Sequence, residues 1–243
     1  MSSFNCYEDT RLADAYARLE FPGTYYLAYR DLPAIFREHV TGRRAVDFGC
    51  GAGRSTRFLR RHGFEAAGVD ISADMIANAR ALDPGGDYRL IEDGDLSALE
   101  AGSCDLVLSA FTFDNIPTRA RKVRCFRGLA RALKPEGRLV NLVSSPDIYV
   151  HEWASFSTKD YPENRSAKSG DVVLIVNTAI ADRRPVADVV WADESYRAVY
   201  ADSGLEVVAT HRPLGRDDEP YEWVNETRIA PWVIYVLRPA RGG

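Results

Sequence analysis

Short apolar runs alternate with amphipathic stretches along the middle of the chain. The runs at 45–48, 65–71, 88–92 and 104–110 have the length of buried strands, and the last is apolar almost throughout. Stretches between them, such as 118–133, carry apolar residues at helical spacing and predict amphipathic helices. This alternation predicts a parallel sheet with helices packed on both faces.

Other elements flank this alternating region. Apolar residues at helical spacing predict helices over 8–20 and 25–40, before the first strand. The long segment 144–170 is rich in aromatic and polar residues without clear periodicity, and such a loop in a compact domain usually has a function. Two short strands over 172–178 and 186–191 then predict a hairpin.

We expect a single overall domain built from four parts. They are an N-terminal helical cap over 1–42, a core over 43–144, an inserted lid and hairpin over 145–192, and the C-terminal part of the core sheet over 193–243. The lid is expected to contribute to a binding pocket. The acidic side chains between residues 216 and 229 are expected to be solvated.

Composition narrows the class of protein. The chain has 243 residues, 46% of them hydrophobic, and a net charge of −4, which argues against a nucleic-acid partner. No run of 18 apolar residues predicts a membrane span, and the N-terminus has no secretory pattern, so we expect a cytoplasmic protein. The four scattered cysteines form no C-x-x-C pair, so neither a metal site nor a disulfide framework is predicted.

A glycine-rich turn follows the first predicted strand. Residues 45–53 read A-V-D-F-G-C-G-A-G, and a helix is predicted from Arg54. Glycines at this junction expose backbone N–H groups to a ligand. A dinucleotide-binding fingerprint would place its third glycine at Arg54, and the Gly-Lys-Ser/Thr ending of a phosphate-binding loop is absent. Asp70, seventeen residues after Gly53, ends the second predicted strand, where a carboxylate can accept hydrogen bonds from ribose hydroxyls.

The D-F-G-C-G-A-G sequence resembles the first motif of class I S-adenosylmethionine (SAM)-dependent methyltransferases. The phrase L-K-P-E-G-R-L-V at 133–140 resembles the same family where a helix ends and the fifth strand begins. The resemblance implies a three-layer α/β sandwich with a seven-stranded, mostly parallel sheet whose last strand is antiparallel. It also implies methyl transfer from SAM by in-line displacement, with S-adenosyl-L-homocysteine (SAH) as the product.

The resemblance also implies a set of cofactor-binding residues. Arg30 is expected to pair with the methionyl carboxylate, Asp70 to bind the ribose, and Met75 to face the adenine. Asp95 is expected to accept from the adenine amine, with Asp93 as the alternative, and the backbone N–H of Leu96 to contact the ring. The complete expected set is Arg30, Asp47, Gly49, Gly51, Gly53, Asp70, Ile71, Met75, Asp95, Leu96, Ala110 and Phe111.

Aromatic residues near the predicted pocket are candidates for binding the methyl acceptor. Tyr25 and Tyr26 lie in the N-terminal helices, and Tyr149, His151 and Trp153 lie in the lid. His151 is the candidate general base because histidine titrates near neutral pH. The alternative is a hydrogen-bonded lid histidine with no part in catalysis.

Three functions remain open from the sequence. The first is a methyltransferase acting on an O or N nucleophile of a small aromatic or partly apolar molecule, with neither nucleic acid nor membrane as partner. The second is a non-catalytic SAM-binding protein. The third is an NAD-dependent oxidoreductase, which the early third glycine disfavours. An Asn-Pro-Pro-Tyr-type sequence, which the resemblance associates with amino-group methylation of nucleic acids or of glutamine, is absent after the fourth strand.

Overall fold

A computed structural model describes residues 21–240. Ten strands form two sheets within this part of the chain. The strands are β1 (Arg44–Phe48), β2 (Glu65–Asp70), β3 (Asp87–Leu90), β4 (Cys104–Ala110), β5 (Leu133–Ser144), β6 (Phe156–Ser157), β7 (Val172–Asn177), β8 (Pro185–Val189), β9 (Leu205–His211) and β10 (Trp232–Pro239). The predicted helix over 8–20 lies outside the described residues.

The larger sheet has the order β3-β2-β1-β4-β5-β10-β9. Neighbouring strands from β3 to β5 pair in parallel, whereas β10 is antiparallel to both β5 and β9. The predicted seven-stranded sheet with an antiparallel last strand is therefore confirmed. The strand order reverses direction between β1 and β4, and in open α/β sheets ligands bind beside the carboxyl ends of strands at such a point.

Helices cover both faces of this sheet. Their positions follow from the side chains of the central strands, which alternate between two hydrophobic clusters: Leu106 and Leu108 pack on one face and Val107 on the other. Both faces are thus apolar and must be covered. The helices are α1 (Thr24–Arg30), α2 (Leu32–His39), α3 (Arg54–Arg61), α4 (Ala73–Leu82), α5 (Arg119–Ala132) and α6 (Asp193–Asp202). Within residues 21–240, none of the helices has the length and apolarity needed to cross a membrane.

The helical segment expected over 25–40, with Pro33 in the first turn of its second half, consists of two helices, α1 and α2. They meet at Asp31, and Pro33 follows in the first turn of α2. Proline lacks the N–H that would continue a helix across this point, so it is tolerated only at a helix start. Tyr25 and Tyr29, both in α1, are buried against the core.

The second sheet, β6-β7-β8, is built from the segment after β5. β7 and β8 form the predicted antiparallel hairpin, with Val186 paired with Ile175 and Asp188 paired with Val173. Side chains two residues apart share a strand face, so Val186 and Asp188 point the same way. Val186 packs in the same hydrophobic cluster as α1, so the hairpin joins the helices on that face of the main sheet.

A buried carboxylate ties three distant segments together. Glu226 is fully buried, although its loop was expected to carry only solvated acids. One oxygen accepts from the Thr24 hydroxyl at 2.7 Å and from the Ala154 N–H at 2.8 Å, and the other accepts from the N–H groups of Val224 and Asn225. Buried charge is tolerated when its lone pairs are satisfied in this way. Glu226 thus fastens α1 and the lid to the C-terminal loop.

Replacing Glu226 with glutamine should destabilise the protein. The amide would place an N–H₂ group against backbone and hydroxyl donors and leave some of them unpaired, at a cost of about 2–4 kcal/mol in the free energy of unfolding. Urea unfolding monitored by circular dichroism measures this cost. The control is Glu222→Gln in the same loop, where the side chain is exposed and the change should stay within about 0.5 kcal/mol. Equal stability of the two variants would contradict the role of Glu226.

Candidate active site

The glycine turn is held in place by the end of β2. The N–H groups of Gly49 and Cys50 both donate to the carbonyl oxygen of Val69, at 2.8 and 3.1 Å. The N–H of Gly51 donates to the carboxylate of Asp70 at 2.8 Å. These bonds form because β1 and β2 are adjacent and parallel, so their carboxyl ends lie side by side.

All three motif glycines have a positive φ, +52° at Gly51, and two of them also have close neighbours. Gly49 has φ +73°, and a β-carbon there would lie 2.1 Å from the Thr112 hydroxyl oxygen. Gly53 has φ +82°, and a β-carbon would lie 2.6 Å from the Tyr88 hydroxyl oxygen. A β-carbon on Gly51 would meet only the Met75 sulfur, at 3.9 Å. Gly51 therefore presents open backbone, whereas the other two glycines are required by packing.

Asp70 is oriented from both sides. Its second oxygen accepts from the N–H of Ser72 at 2.8 Å, while Ser72 caps α4 through its hydroxyl. Burial raises the pKa of Asp70, and the backbone N–H groups that it accepts from oppose that rise. The carboxylate is thus fixed at the mouth of α4 with lone pairs still available.

A large cavity opens beside the turn. Its volume is about 1010 Å³, at the upper end of the range of small-molecule sites, about 300–1,000 Å³. Its first section is lined by the turn at Gly49–Ala52, by Asp70, and by the apolar side chains of Ile71, Met75 and Leu90. This section combines exposed backbone, a fixed carboxylate and an apolar wall. The predicted residues Gly49, Gly51, Asp70, Ile71, Met75, Ala110 and Phe111 all line the cavity.

The far section of the cavity is aromatic. Tyr25, Phe111, Tyr149, Phe156 and Trp232 line it. The rings pack against one another, with the Phe111 and Trp232 centroids 4.8 Å apart and those of Tyr25 and Phe156 5.1 Å apart. The predicted acceptor residues Tyr25 and Tyr149 are therefore at this end.

Phe111 lies at the end of β4 with an unusual backbone. Its φ is +65° and its ψ is −2°, the one positive φ of a non-glycine residue within 21–240. This conformation costs on the order of 1–3 kcal/mol and concentrates at functional sites. It turns the chain from β4 into the short 3₁₀ helix Thr112–Asn115, so that Phe111, Thr112 and Asp114 all line the cavity.

Asp47 and Gly53 do not line the cavity. Asp47 is fully buried beneath the turn, where one oxygen accepts from the hydroxyls of Ser55 and Thr56, both at 2.6 Å. The other oxygen has no hydrogen-bond partner among the described residues. The Asp47 carboxylate therefore holds the first turn of α3 against β1.

Neither Asp95 nor Leu96, the residues predicted to contact the adenine, lines the cavity. Asp93 and Gly94 line the cavity, whereas Asp95 is exposed and accepts from the N–H of Ser97 at 2.8 Å. Leu96 is buried and packs against Gly128 of α5. The alternative residue, Asp93, is the carboxylate that the structure brings to the site, next to Arg121.

Arg30 lies away from the cavity, because it is held by other groups. Its guanidinium pairs with Asp31 at 2.8 Å and with Glu219 at 2.7 Å, and it donates to the Leu214 carbonyl oxygen. Arg54, at the start of α3, lines the cavity instead. Its guanidinium lies 4.9 Å from the centre of the Tyr25 ring. Arg54 is not among the binding residues predicted from the sequence. Its position enters that prediction only because a dinucleotide-binding fingerprint would have a glycine there.

Of the residues expected to bind the acceptor, Tyr25 and Tyr149 line the cavity, whereas Tyr26, His151 and Trp153 do not. His151 does not line the cavity, and its ring packs edge-on against Trp153. Trp153 is buried outside the cavity and donates from Nε1 to the Ile148 carbonyl oxygen at 2.8 Å. Tyr26 packs on Tyr221, also outside it. The structure therefore does not bring the expected base, His151, to the site.

Two carboxylates that the sequence did not single out line the far section. Asp114 follows Phe111 in the 3₁₀ helix, and Asp188 projects from β8. The first carried a signal in the sequence, since it follows the fourth strand. Asp188 carried no such signal, because no local sequence pattern shows how the hairpin packs against the main sheet. Among residues 21–240, no group of three or more His, Cys, Asp or Glu side chains is arranged to hold a metal ion.

The buried Asp47 should make stability depend on pH. Burial raises the pKa of Asp47 from 3.8 to about 6, so the folded state holds its proton more tightly than the unfolded state. Stability is then lost as the pH rises from about 4 to about 6. We expect wild type to lose about 2–3 kcal/mol relative to Asp47→Asn between pH 4 and pH 7, measured by urea unfolding. The exposed Asp217→Asn should show no such trend, and parallel pH curves for wild type and Asp47→Asn would refute the assignment.

Comparison with known proteins finds similar domains and similar folds. Residues 46–141 match the family described as "Methyltransferase domain". A relative named ubiquinone biosynthesis O-methyltransferase, from Xanthomonas axonopodis pv. citri, is 32% identical over 107 residues, covering 42% of this chain and 44% of that protein. The protein of the same name from Burkholderia thailandensis is 28% identical over 151 residues, covering 60% and 56%. The chain therefore spans about half the length of these relatives.

Solved structures share the architecture over almost the whole chain. The CcbJ methyltransferase from Streptomyces caelestis superposes with a TM-score of 0.64 at 18% identity, covering 91% of this chain and all of that one. An S-adenosylmethionine-dependent methyltransferase from Clostridium acetobutylicum gives a TM-score of 0.62 at 14% identity, covering 98% and 100%. At these identities the likeness concerns the fold. Residues 46–141 are therefore similar to methyltransferase domains, and the fold of the chain is that of SAM-dependent methyltransferases.

Proposed function

We propose that the protein transfers a methyl group from SAM to an O or N nucleophile of a small, partly apolar molecule. The observation that carries the proposal is one continuous cavity. It joins a glycine turn and a fixed carboxylate, Asp70, to an aromatic section walled by Tyr25, Tyr149 and Trp232. A cofactor and a second small molecule have room to meet there.

The first section of the cavity suits a nucleoside with an amino-acid tail. Gly51 offers backbone that no side chain covers, and Asp70 offers lone pairs to the ribose hydroxyls. Ile71 and Met75 line this section and are proposed as the apolar wall for the adenine, with Asp93 as the acceptor of its amine. Arg54 is the cation placed for the methionyl carboxylate, with which a guanidinium can form paired hydrogen bonds.

When bound, SAM supplies a methyl group already activated by its sulfonium sulfur. The chain has to orient the acceptor in line with that methyl and keep water out. Orientation alone is worth roughly 7–11 kcal/mol of the barrier. The aromatic section provides both effects, because Phe111 and Trp232 present rigid apolar surface.

The relatives' name supports a small-molecule acceptor, since it places them in ubiquinone biosynthesis. The far section of this cavity, with its ring-lined walls, supports an acceptor with an apolar body. The net charge of −4 supports a partner other than nucleic acid.

Calorimetry tests the cofactor assignment. SAM and SAH should bind, and NAD should not. Asp70→Asn should weaken SAH binding about 10- to 100-fold, because the neutral amide loses charge-assisted hydrogen bonds worth about 1.5–3 kcal/mol. Binding of NAD without SAM, or an unchanged SAH affinity in Asp70→Asn, would refute the proposal. Turnover of SAM on a panel of small acceptors, followed by mass spectrometry, separates an enzyme from a non-catalytic binder.

Two neighbouring carboxylates provide a matched pair for the adenine contact. Asp93→Ala should weaken SAH binding about tenfold, because it removes a charged acceptor that lines the cavity. Asp95→Ala should leave the affinity within about twofold, since that side chain does not line the cavity and is bonded only to its own turn. The same calorimetric titration measures both. If Asp95→Ala lost more SAH affinity than Asp93→Ala, the adenine contact would have to be assigned to Asp95.

A further inference from the structure

One carboxylate in the far section is in a position to meet an acceptor. Asp188 lines the cavity beside Val186, which is on the same face of β8. The Tyr149 hydroxyl donates to one of its oxygens at 3.2 Å. Asp188 is only half-buried, and burial nevertheless raises its pKa, so the surface that it exposes faces the cavity and not bulk water.

The other charged groups near Asp188 are committed to the protein. Asp114 is 4% exposed and accepts from the N–H of Ser144 at 3.0 Å, with the Tyr196 hydroxyl on its other oxygen. Lys122 of α5 is fully buried and donates to the Phe113 carbonyl oxygen.

The charges of this group do not cancel. The Lys122 ammonium also lies 4.9 Å from the centre of the Trp191 ring and 5.3 Å from that of Tyr196. When all three are ionised, Asp114, Asp188 and Lys122 carry two negative charges against one positive charge. A cation placed at Asp188 would complete the balance, and buried charges are tolerated when they are paired.

Aromatic rings line the same cavity as Asp188. Tyr25, Phe111, Phe156 and Trp232 line the same section of the cavity. Ring faces attract cations, and more strongly where water is excluded. A carboxylate combined with several ring faces is a suitable environment for an ammonium group on an apolar body.

We propose that Asp188 selects an amine as the methyl acceptor, binding its ammonium form and taking its proton to release the nucleophile. This inference rests on the proposed function and specifies its acceptor. Asp188 thus takes the place of His151, which lies outside the cavity.

The proton and electron balance is simple. The ammonium R–NH₃⁺ gives a proton to the Asp188 carboxylate and becomes R–NH₂. The amine lone pair then forms the new bond to the methyl carbon, while the carbon–sulfur bond breaks and its electron pair stays on sulfur. The products are R–NH₂–CH₃⁺ and SAH, and Asp188 returns its proton to solvent when the product leaves.

The pKa values of Asp188 and its charged neighbours are consistent with proton transfer from the ammonium group to Asp188. Burial raises the pKa of Asp188 to about 8, with the nearby Asp114 charge adding to the rise. Burial lowers the pKa of Lys122 to about 7 and raises that of Asp114 to about 6. A base is most effective when its pKa lies near the working pH. Two tyrosines also donate hydrogen bonds to these carboxylates, Tyr149 to Asp188 and Tyr196 to Asp114. Burial raises the pKa of each tyrosine.

The test uses a matched pair of probes, benzylammonium and benzyl alcohol, on the SAH-loaded full chain. Thermal unfolding at pH 8 measures stabilisation by each probe at millimolar concentration. Wild type should be stabilised by benzylammonium at least tenfold more effectively, in apparent affinity, than by benzyl alcohol. Asp188→Asn should lose that preference, while the control His151→Ala should keep it.

Each alternative outcome is decisive. Equal effects of the two probes, a preference for the alcohol, no effect of either, or a preference that survives in Asp188→Asn would overturn the inference. SAH affinity, measured by calorimetry for each variant, shows that Asp188→Asn is folded and that its cofactor section is intact. Loss of SAH binding in wild type would instead count against the proposed function, so the two failures are distinguishable.

Discussion

The hydrogen bond from the Gly51 N–H to the Asp70 carboxylate is the constraint on which the site depends. It joins the turn after β1 to the end of β2 at 2.8 Å, and it holds open backbone beside a fixed acceptor. The parallel pairing of β1 with β2 makes this contact possible, since Phe48 lies opposite Val69 and the following residues emerge together. Gly49 lets Thr112 approach and close the other side of the turn. Cavity, turn and carboxylate are therefore consequences of one sheet register.

The second section of the cavity depends on how the lid is fastened. Glu226 binds Thr24 and Ala154 at once, so it links α1, the lid and the loop before β10. Trp232 donates to the Thr24 carbonyl oxygen at 2.8 Å and reinforces the same junction. These bonds bring the aromatic rings of three separate segments into one wall. The far section thus has a shape set by buried polar contacts, while its surface remains apolar.

Much of the core was predictable, because its signals are local. Strand β4 has the predicted bounds, and the strand–glycine–helix junction and Asp70 lie where the motif indicated. Side chains positioned by long-range packing were not predictable in this way. Arg30 is held by Glu219 from a distant loop, and His151 turns away from the cavity toward Trp153. Asp188 could not be predicted as a cavity residue for the same reason, since no local spacing shows which side chain of an inserted hairpin will face the main sheet.

A crystal structure of the protein with SAH bound tests the central claim most directly. The account predicts that both ribose hydroxyls lie within hydrogen-bond distance of the Asp70 carboxylate. The adenine should contact Met75, and the amino-acid tail should reach toward Arg54 along the open backbone at Gly51. A nucleoside bound elsewhere, or one whose ribose makes no contact with Asp70, would contradict the account.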